Sequence, residues 1–485
     1  MPRLSFILPV YKPVESILEK CCKSLIAQSL KSWEAIFVLD GESELAKAVI
    51  KRVFKKNDNY KIIEIEHGGA CKARNEGAKH ATGEFWCFFD SDCSIECDAA
   101  QAWVDIFDQK KDIGFVYAGY RFYDEKGGYG SETFDPWLLR VNNYVSSCFP
   151  LRKELFPGWN EDLKSLQDWD FWLKVVEKGG KGHHMVGYAF ATALPSKDSI
   201  SGEGCSKEKW LERIDAVREL HNIPKKTICV ASLMDRHEGI RLAKMLDVDY
   251  RDFPTRNPHY YKTIIQVGFS FQPGIAVECA GIFNDKNIKN YLFWTKESVY
   301  EAYTLLSRKA LVEYSDRINN ICTQFCEDKE AQRLLELCGF KAEILPLPFE
   351  NKDEIPPLPE KLRFLVDVSP HYGQVMNVLT KSLPDIKFDM ATAAQKIEDY
   401  TGILHFHQET TMSNSIKRML ISGRYVISNI QQPFTGYVQD RQLPDTFIPK
   451  MVEKLRSMDN KPNSIARDYY LKQLSPEKIK EKINA

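Results

Sequence analysis

The sequence has almost no net charge: 66 lysines and arginines stand against 67 aspartates and glutamates, leaving -1 at pH 7. That balance gives no electrostatic case for a nucleic-acid partner, which needs a basic face. No apolar run is long enough to span a bilayer, and the stretch from Met1 to Pro13 lacks the layout of a signal peptide. A cytoplasmic protein, soluble or at most peripheral to a membrane, is the expectation. None of the 13 cysteines forms a CxxC pair, and Cys93 with Cys97, like Cys322 with Cys326, is spaced too loosely to argue zinc. Free, mostly buried thiols in a reducing compartment are expected instead. The first apolar strand is followed by Tyr11-Lys12-Pro13-Val14-Glu15-Ser16, without a glycine. A glycine-rich phosphate loop is therefore missing there, which argues against a nucleotidyltransferase.

At 485 residues the chain exceeds one ordinary hydrophobic core, so more than one domain is expected. The most informative stretch runs from His67 to Cys93. Gly69 to His80 reads as a helix with Ala73, Gly77 and Ala78 on one small face, suited to close packing on a sheet. Phe85 to Phe89 is an apolar run of strand length, and Asp90-Ser91-Asp92 falls where that strand ends. Carboxylates two residues apart just past a strand can point the same way. Two of them suit a hard divalent cation, which prefers oxygen ligands and shares them with phosphates. Alone, such a tripeptide is equally a solvated turn.

The segments before it strengthen the case. Leu4 to Val10, Glu34 to Leu39 and Tyr60 to Glu66 read as buried strands, separated by helices over Val14 to Leu30 and Glu44 to Phe54. This β-α-β-α-β-α-β series implies a parallel sheet covered on both faces. Ligands of such sheets sit beyond the carboxyl ends of the strands, where Tyr11, Asp40, His67 and Asp90 all fall.

The runs LSFILPVYKP, VLDGES and GGACKARNEGAKHATGEFWCFFDSD, in this order, resemble the nucleotide-sugar half of the family 2 glycosyltransferases, which have a GT-A fold. The resemblance covers roughly the first 220 residues. It implies that Pro9 and Tyr11 line a nucleotide pocket, that Asp40 hydrogen-bonds the base, and that Lys72 and Arg74 face the nucleotide. It further implies that Asp90 and Asp92, with Ser91 between them, form a DxD motif holding Mn2+ or Mg2+ against the diphosphate of a nucleotide sugar, a UDP-sugar above all. Downstream, Leu166-Gln167-Asp168-Trp169-Asp170-Phe171-Trp172 reads as the start of a helix and resembles the motif that carries the general base in inverting members. Asp168 matches the base, Gln167 stands where a glutamate is usual, and Asp170 is read as a solvent-facing or structural carboxylate. Trp159, Trp169 and Trp172 are assigned mainly to the core. Before the Ser199-Ile200-Ser201 run, Leu194 and Ser196 replace the Arg and His that members often carry, which leaves a third metal ligand in doubt.

The resemblance thus implies an inverting, metal-dependent hexosyltransferase-type enzyme acting on a glycan or glycolipid hydroxyl, with bacterial-type surface polysaccharide or lipopolysaccharide assembly as the analogous setting. A non-catalytic carbohydrate-binding or assembly protein is the alternative. The domain boundary is expected at Pro224-Lys225: residues 1–224 form the first domain, and 225–485 a second with small α/β units over 225–350 and 360–460. In that half Thr227 to Leu233, Lys262 to Phe269, Gly274 to Cys279, Ala310 to Glu313, Leu362 to Val368, Ile403 to Phe406 and Tyr425 to Ser428 read as strands, and a proline-rich stretch from Leu345 to Pro359 reads as a linker. The pair of units resembles a reduced GT-B glycosyltransferase, with Thr410 and Arg418 where paired glutamates are usual. This implies a second transferase, a degenerate one, or an acceptor-binding module. Lys381, His371, Arg418 and Arg424 are read as surface residues, and a polar helical tail from Asn463 to Ala485 as packing back across both units.

Overall fold

The computed structural model describes residues 1–55, 57–122, 128–129, 133–193, 207–232, 235–252, 261–271, 287–304, 309–349, 357–369, 374–391, 399–407, 412–438 and 444–484. The chain divides into two compact units, Met1–Lys225 and Lys226–Ala485. The expected strand from Gly274 to Cys279, the run from Leu194 to Ser201, and His371 and Thr410 lie outside the described residues.

In the first unit, β1 (Leu4–Val10), β2 (Trp33–Asp40), β3 (Tyr60–Ile65) and β4 (Phe85–Phe88) form a parallel block in the order β3-β2-β1-β4. Three helices make the crossovers: α1 (Glu15–Ile26), α2 (Glu44–Val53) and α3 (Ala70–His80). β1 and β2 are buried almost throughout, as strands covered on both faces must be. The chain steps outward from β1 to β3 and then returns to the other side of β1 for β4. The gap between β1 and β4 is thus the topological switch point, where open α/β sheets take their ligands.

Beyond β4 the expectation of a purely parallel sheet is corrected. After β5 (Cys93–Ile95), α4 (Ala99–Gln109), β6 (Phe115–Phe122), β7 (Gly128–Tyr129) and α5 (Pro136–Val141), the short β8 (Pro150–Arg152) returns antiparallel to β4. β9 (Gly182–Ala193), which follows α6 (Gln167–Glu177), pairs parallel with β6 and antiparallel with β5. The mixed sheet has nine strands. The added strands bring the 133–170 segment to the edge of the β4 end, where the second half of a site has to be built.

The small face of α3 does what its composition foretold. A Cβ on Gly77 would lie 2.5 Å from Ile7 Cγ2 and 3.0 Å from Val38 Cγ2, so the helix rests directly on β1 and β2. Two residues beyond Asp168, Asp170 is fully buried, which leaves the structural reading of the two and excludes the solvent-facing one. It pairs with Lys174 at 2.8 Å and with His221 Nε2 at 3.0 Å, which fastens α6 to α7 (Lys207–Leu220).

The second unit holds two wholly parallel sheets, in the orders β11-β10-β12-β13-β14-β15 and β17-β16-β18-β19-β20. The first comprises β10 (Ile228–Ala231), β11 (Asp249–Arg251), β12 (Thr263–Val267), β13 (Lys289–Trp294), β14 (Thr323–Cys326) and β15 (Ala342–Ile344). The second comprises β16 (Arg363–Val368), β17 (Lys387–Met390), β18 (Gly402–Phe406), β19 (Tyr425–Ser428) and β20 (Gly436–Tyr437). Ala310 to Glu313, read as a strand, lies inside the helix Lys309–Ile321. Arg424, read as a surface residue, is fully buried and donates to Pro357 O at 3.0 Å, whereas Lys381 and Arg418 are exposed. The described start of the proline-rich stretch, residues 345–349, is irregular but not loose: Leu345 and Leu347 are buried, and Pro348 O accepts from Arg241 Nη1 at 2.6 Å. A buried Lys417–Glu327 ion pair of 2.7 Å joins the two sheets, and Asp328 accepts from the Met412 N–H at 2.8 Å beside it. The tail breaks into two helices. Ser464–Gln473 adds Ala466 and Tyr470 to the core of the second sheet, while Pro476–Asn484 reaches the first, where Tyr291 Oη donates to Lys482 O at 3.4 Å.

The seating of α3 is testable. Gly77→Val should destabilise the first unit by about 1–3 kcal/mol, the usual effect of overpacking. Denaturant unfolding of the variant measures this, and an unchanged midpoint would mean that the helix does not bear on β1 and β2 as described.

Candidate active site

Two groups of side chains collect at the carboxyl ends of β1, β2 and β4. The first is built on Asp40, the last residue of β2 and only 2% exposed. Its Oδ1 accepts from the Gly68 N–H at 2.7 Å, and its Oδ2 accepts from the Gly69 N–H at 2.9 Å and lies 3.0 Å from His67 Nδ1. Gly69 has a φ of 93°, a conformation that a side chain would strain, and α3 starts at the next residue. The helix is thus launched from the Asp40 carboxylate. The His67 ring stacks on Tyr11 with centroids 4.2 Å apart and planes 12° from parallel, and Lys12 Nζ stands 5.1 Å from the Tyr11 centroid. Lys12 itself has a φ of 42°, unusual for a residue with a side chain. Pro9 lies in β1 opposite Val38, and Lys72, on the first turn of α3, curls back so that Nζ is 3.5 Å from Glu66 O.

The second group is centred on Asp90. Arg74, buried on α3, donates from Nη2 to Asp90 Oδ1 at 2.6 Å, and its guanidinium lies 4.4 Å over the Trp159 ring. Asp90 Oδ2 accepts from Ser147 Oγ at 3.1 Å and meets Cys148 Sγ at 3.7 Å. Ser91 and Asp92 form the turn that leads to β5, and the Cys93 N–H closes it on Asp90 O at 3.1 Å. Among the described residues Asp92 forms no ion pair, and the charge of Arg74 acts on it only as a minor influence. Burial, and then the charge of Asp90, push its carboxyl up to about 6. Asp90, Cys93 and Cys148 form a cluster whose ligand atoms lie within 4.8 Å of one another. Burial and the hydrogen bond to Cys148 hold the Cys93 thiol well above its ordinary range, so it is a thiol and not a thiolate.

Asp168 completes this group. It is the second residue of α6, which enters through Leu166 in the left-handed conformation (φ 57°) without a side-chain cap. Such strain costs on the order of 1–3 kcal/mol and persists where the surroundings enforce it. Asp168 Oδ1 accepts from the Trp169 N–H at 2.9 Å. Burial pushes its carboxyl up; the Asn143 hydrogen bond, the Trp169 N–H and the charge of Arg74 pull it down, and the charge of Asp90 acts upward. Asp168 therefore lies within electrostatic reach of both Arg74 and Asp90. Trp169 and Trp172 are core residues whose indole N–H groups donate to Leu139 O at 2.7 Å and Ser146 O at 3.0 Å.

The structure thus gathers Arg74, Asp90, Asp92 and Asp168 in one place. Tyr11, His67 and Asp40 form the neighbouring group, and α3 links the two by starting on Asp40 and carrying Arg74. Sequence reasoning missed Asn143, Ser147 and Cys148. They lie on an irregular stretch between α5 and β8, and no spacing in the sequence ties that stretch to Asp90. The residues fit a divalent cation on the chemistry of the donor set: two carboxylates share a turn, one has its charge met by Arg74, and the other is left with a raised pKa that a cation would relieve.

A fold with a switch-point site carrying a stacked aromatic pair, a helix N-terminus and paired carboxylates is a nucleotide-binding α/β class. Residues 5–159 match the family model described as Glycosyl transferase family 2, and this part of the chain is a family 2 glycosyltransferase domain. It is 28% identical over 190 residues to an uncharacterized glycosyltransferase of Rickettsia conorii (strain ATCC VR-613 / Malish 7), covering 36% of this chain and 31% of that protein. It is 26% identical over 191 residues to the chondroitin synthase of Pasteurella multocida (strain Pm70), covering 38% of this chain and 20% of that one. Among solved structures, S. aureus TarS 1-349 in complex with UDP-GlcNAc aligns with 21% identity and a TM-score of 0.40, covering 45% of this chain and 66% of that one. The chain thus spans a third or less of the length of these two curated relatives. Among the described residues no helix is long and apolar enough to cross a membrane.

The raised carboxyl of Asp92 has a consequence for stability. Because its folded pKa lies above the unfolded value, the charged form is disfavoured in the fold at neutral pH, and this cost fades as pH falls from about 6 toward the ordinary value of 3.8. Asp92→Asn should therefore raise the metal-free Tm at pH 7.5, with the gain vanishing near pH 4. A gain of the same size at both pH values would remove the assigned pKa.

Proposed function

We propose that the first unit is an inverting, metal-dependent glycosyltransferase with a GT-A arrangement. It moves a sugar from a nucleoside diphosphate donor, in the first instance a UDP-sugar, to a hydroxyl of a glycan or glycolipid acceptor, as in surface polysaccharide or lipopolysaccharide assembly. The observation that carries this reading is the position of Asp168, a carboxyl raised by burial and close enough to Arg74 and Asp90 to feel both charges. A base at that position stands beside the place where a diphosphate would leave.

The stacked Tyr11–His67 pair offers a flat face to a nucleobase, with Pro9 behind it. Asp40 Oδ1 accepts a single bond and retains capacity for a base N–H. Lys72, on the first turn of α3, supplies positive charge on the phosphate side, and Arg74 fixes Asp90 there. Asp90 and Asp92 would hold Mn2+ or Mg2+, which when bound neutralises charge on the diphosphate. Ser91 presents the turn between them. Asp168 takes the proton of the acceptor hydroxyl as that oxygen forms a bond to the anomeric carbon; the bond from that carbon to the diphosphate oxygen breaks, and the diphosphate leaves with the electron pair. Attack from the face opposite the leaving group inverts the configuration. The second unit, with its two parallel sheets, is read as a reduced GT-B-like module that binds the acceptor or carries a second transfer.

Asp168→Asn should leave donor affinity nearly unchanged while kcat falls about 10²–10⁴-fold, the usual contribution of a general base. An unchanged kcat would remove the base role. Asp92→Ala should abolish Mn2+- or Mg2+-dependent turnover while far-UV circular dichroism stays native, and full retained turnover would remove the metal role.

A further inference from the structure

The second sheet of the second unit has its own switch point. From β16 the chain goes to β17 on one side, and β18 lies on the other, so the crevice between the carboxyl ends of β16 and β18 is where this topology places a ligand. Asp367 on β16 is the register partner of His405 on β18. His407 lies two residues further on and so extends to the same side. His405 Nδ1 is 2.9 Å from Asp367 Oδ2, and His407 Nε2 is 2.9 Å from Asp367 Oδ1. The two rings lie 4.4 Å apart at 34°, and the ligand atoms of all three residues fall within 4.8 Å of one another.

The surroundings contain unsatisfied oxygen. Asn429, just past β19 and 6% exposed, donates from Nδ2 to His407 O at 2.7 Å, while its buried Oδ1 has no hydrogen-bond partner among the described residues. Ser369, two residues beyond Asp367, likewise has a buried Oγ without a partner. From the other sheet, Lys296, which opens the helix Lys296–Thr304, is within electrostatic reach of Asp367 and His405. His405 is buried in this cluster, while the side chains of Asp367 and His407 keep about a quarter of their surface exposed (27% and 26%).

We propose that Asp367, His405 and His407 bind a divalent transition cation, of the class of Zn2+, Co2+, Ni2+ or Fe2+. Two imidazoles and one carboxylate converging from one face is the donor set such ions select, whereas Mg2+ and Ca2+ prefer oxygen alone. Ligands about 2.0–2.2 Å from a metal sit about 3 Å apart when at right angles, which is the spacing seen here between each histidine nitrogen and its carboxylate oxygen. The unpartnered Asn429 and Ser369 oxygens would accept from water in the remaining positions. The assignment is independent of the transferase reading of the first unit.

The probe is Co2+, equilibrated with the full chain, with bound metal counted and the visible spectrum recorded. The wild type should hold a Co2+ ion with a visible band, and Asp92→Ala should keep it. His407→Gln, at a half-buried position where the fold is expected to survive, should weaken that ion by at least about ten-fold, since loss of an outer-shell partner alone costs 10–100-fold. Lys296→Met should leave the affinity unchanged or tighten it. No bound Co2+, or binding untouched by His407→Gln in a natively folded variant, would reduce the cluster to a hydrogen-bonded trio and overturn the proposal. Weaker Co2+ binding in Lys296→Met would also count against it, because a neighbouring ammonium cannot favour a cation.

Discussion

The first unit turns on one buried ion pair, Arg74 with Asp90 at 2.6 Å. A guanidinium is costly to bury, and it is held here by a carboxylate on one side and the Trp159 ring on the other. The pair spans the switch point: Arg74 belongs to a helix seated on β1 and β2, and Asp90 to the end of β4. Removing Asp90 would leave the Arg74 guanidinium buried without its carboxylate, whereas Asp90 itself is partly exposed. The same pair sets the character of the neighbouring carboxylate, because Asp90 has its charge met and Asp92 does not. One interaction thus aligns the helix and shapes the start of the Asp90-Ser91-Asp92 turn.

Much of this was legible in the sequence because it is local. The apolar runs of Leu4–Val10 and Trp33–Asp40 had to be buried strands, the Ala73-Gly77-Ala78 face had to meet a sheet, and the carboxyl ends of the strands had to carry the polar residues. Asp168 and Asp170 show how far local reading goes. The two are neighbours of like chemistry on one helix, yet Asp170 is locked by Lys174 and His221 while Asp168 is turned toward Arg74 and Asp90.

What escaped reading depends on contacts between distant segments. Ser147 and Cys148 reach Asp90 only because β8 returns antiparallel to β4, and no periodicity in the chain announces that return. Ala310 to Glu313 was misread because a short apolar run fits a strand or a buried helix equally well, and the helix Lys309–Ile321 decides it only over its full length. Arg424 was assigned to the surface on residue type, but it is buried with its guanidinium on a carbonyl of the proline-rich stretch. His405 and His407 drew no notice at all, since their meaning appears only when β16 brings Asp367 alongside.

In the second unit, the tail helices join what the strands leave separate. Ser464–Gln473 is packed into the core of one sheet and Pro476–Asn484 against the other, with Leu474 O accepting from the Phe349 N–H at 3.0 Å between them. During synthesis the Lys417–Glu327 pair leaves the ribosome before this strap, so the strap is a late addition to contacts that already join the two sheets. A nascent chain paused before Ser464 would carry that pair yet lack Ala466, Tyr470 and Leu474 in the core of the second sheet, which closes only when the tail arrives.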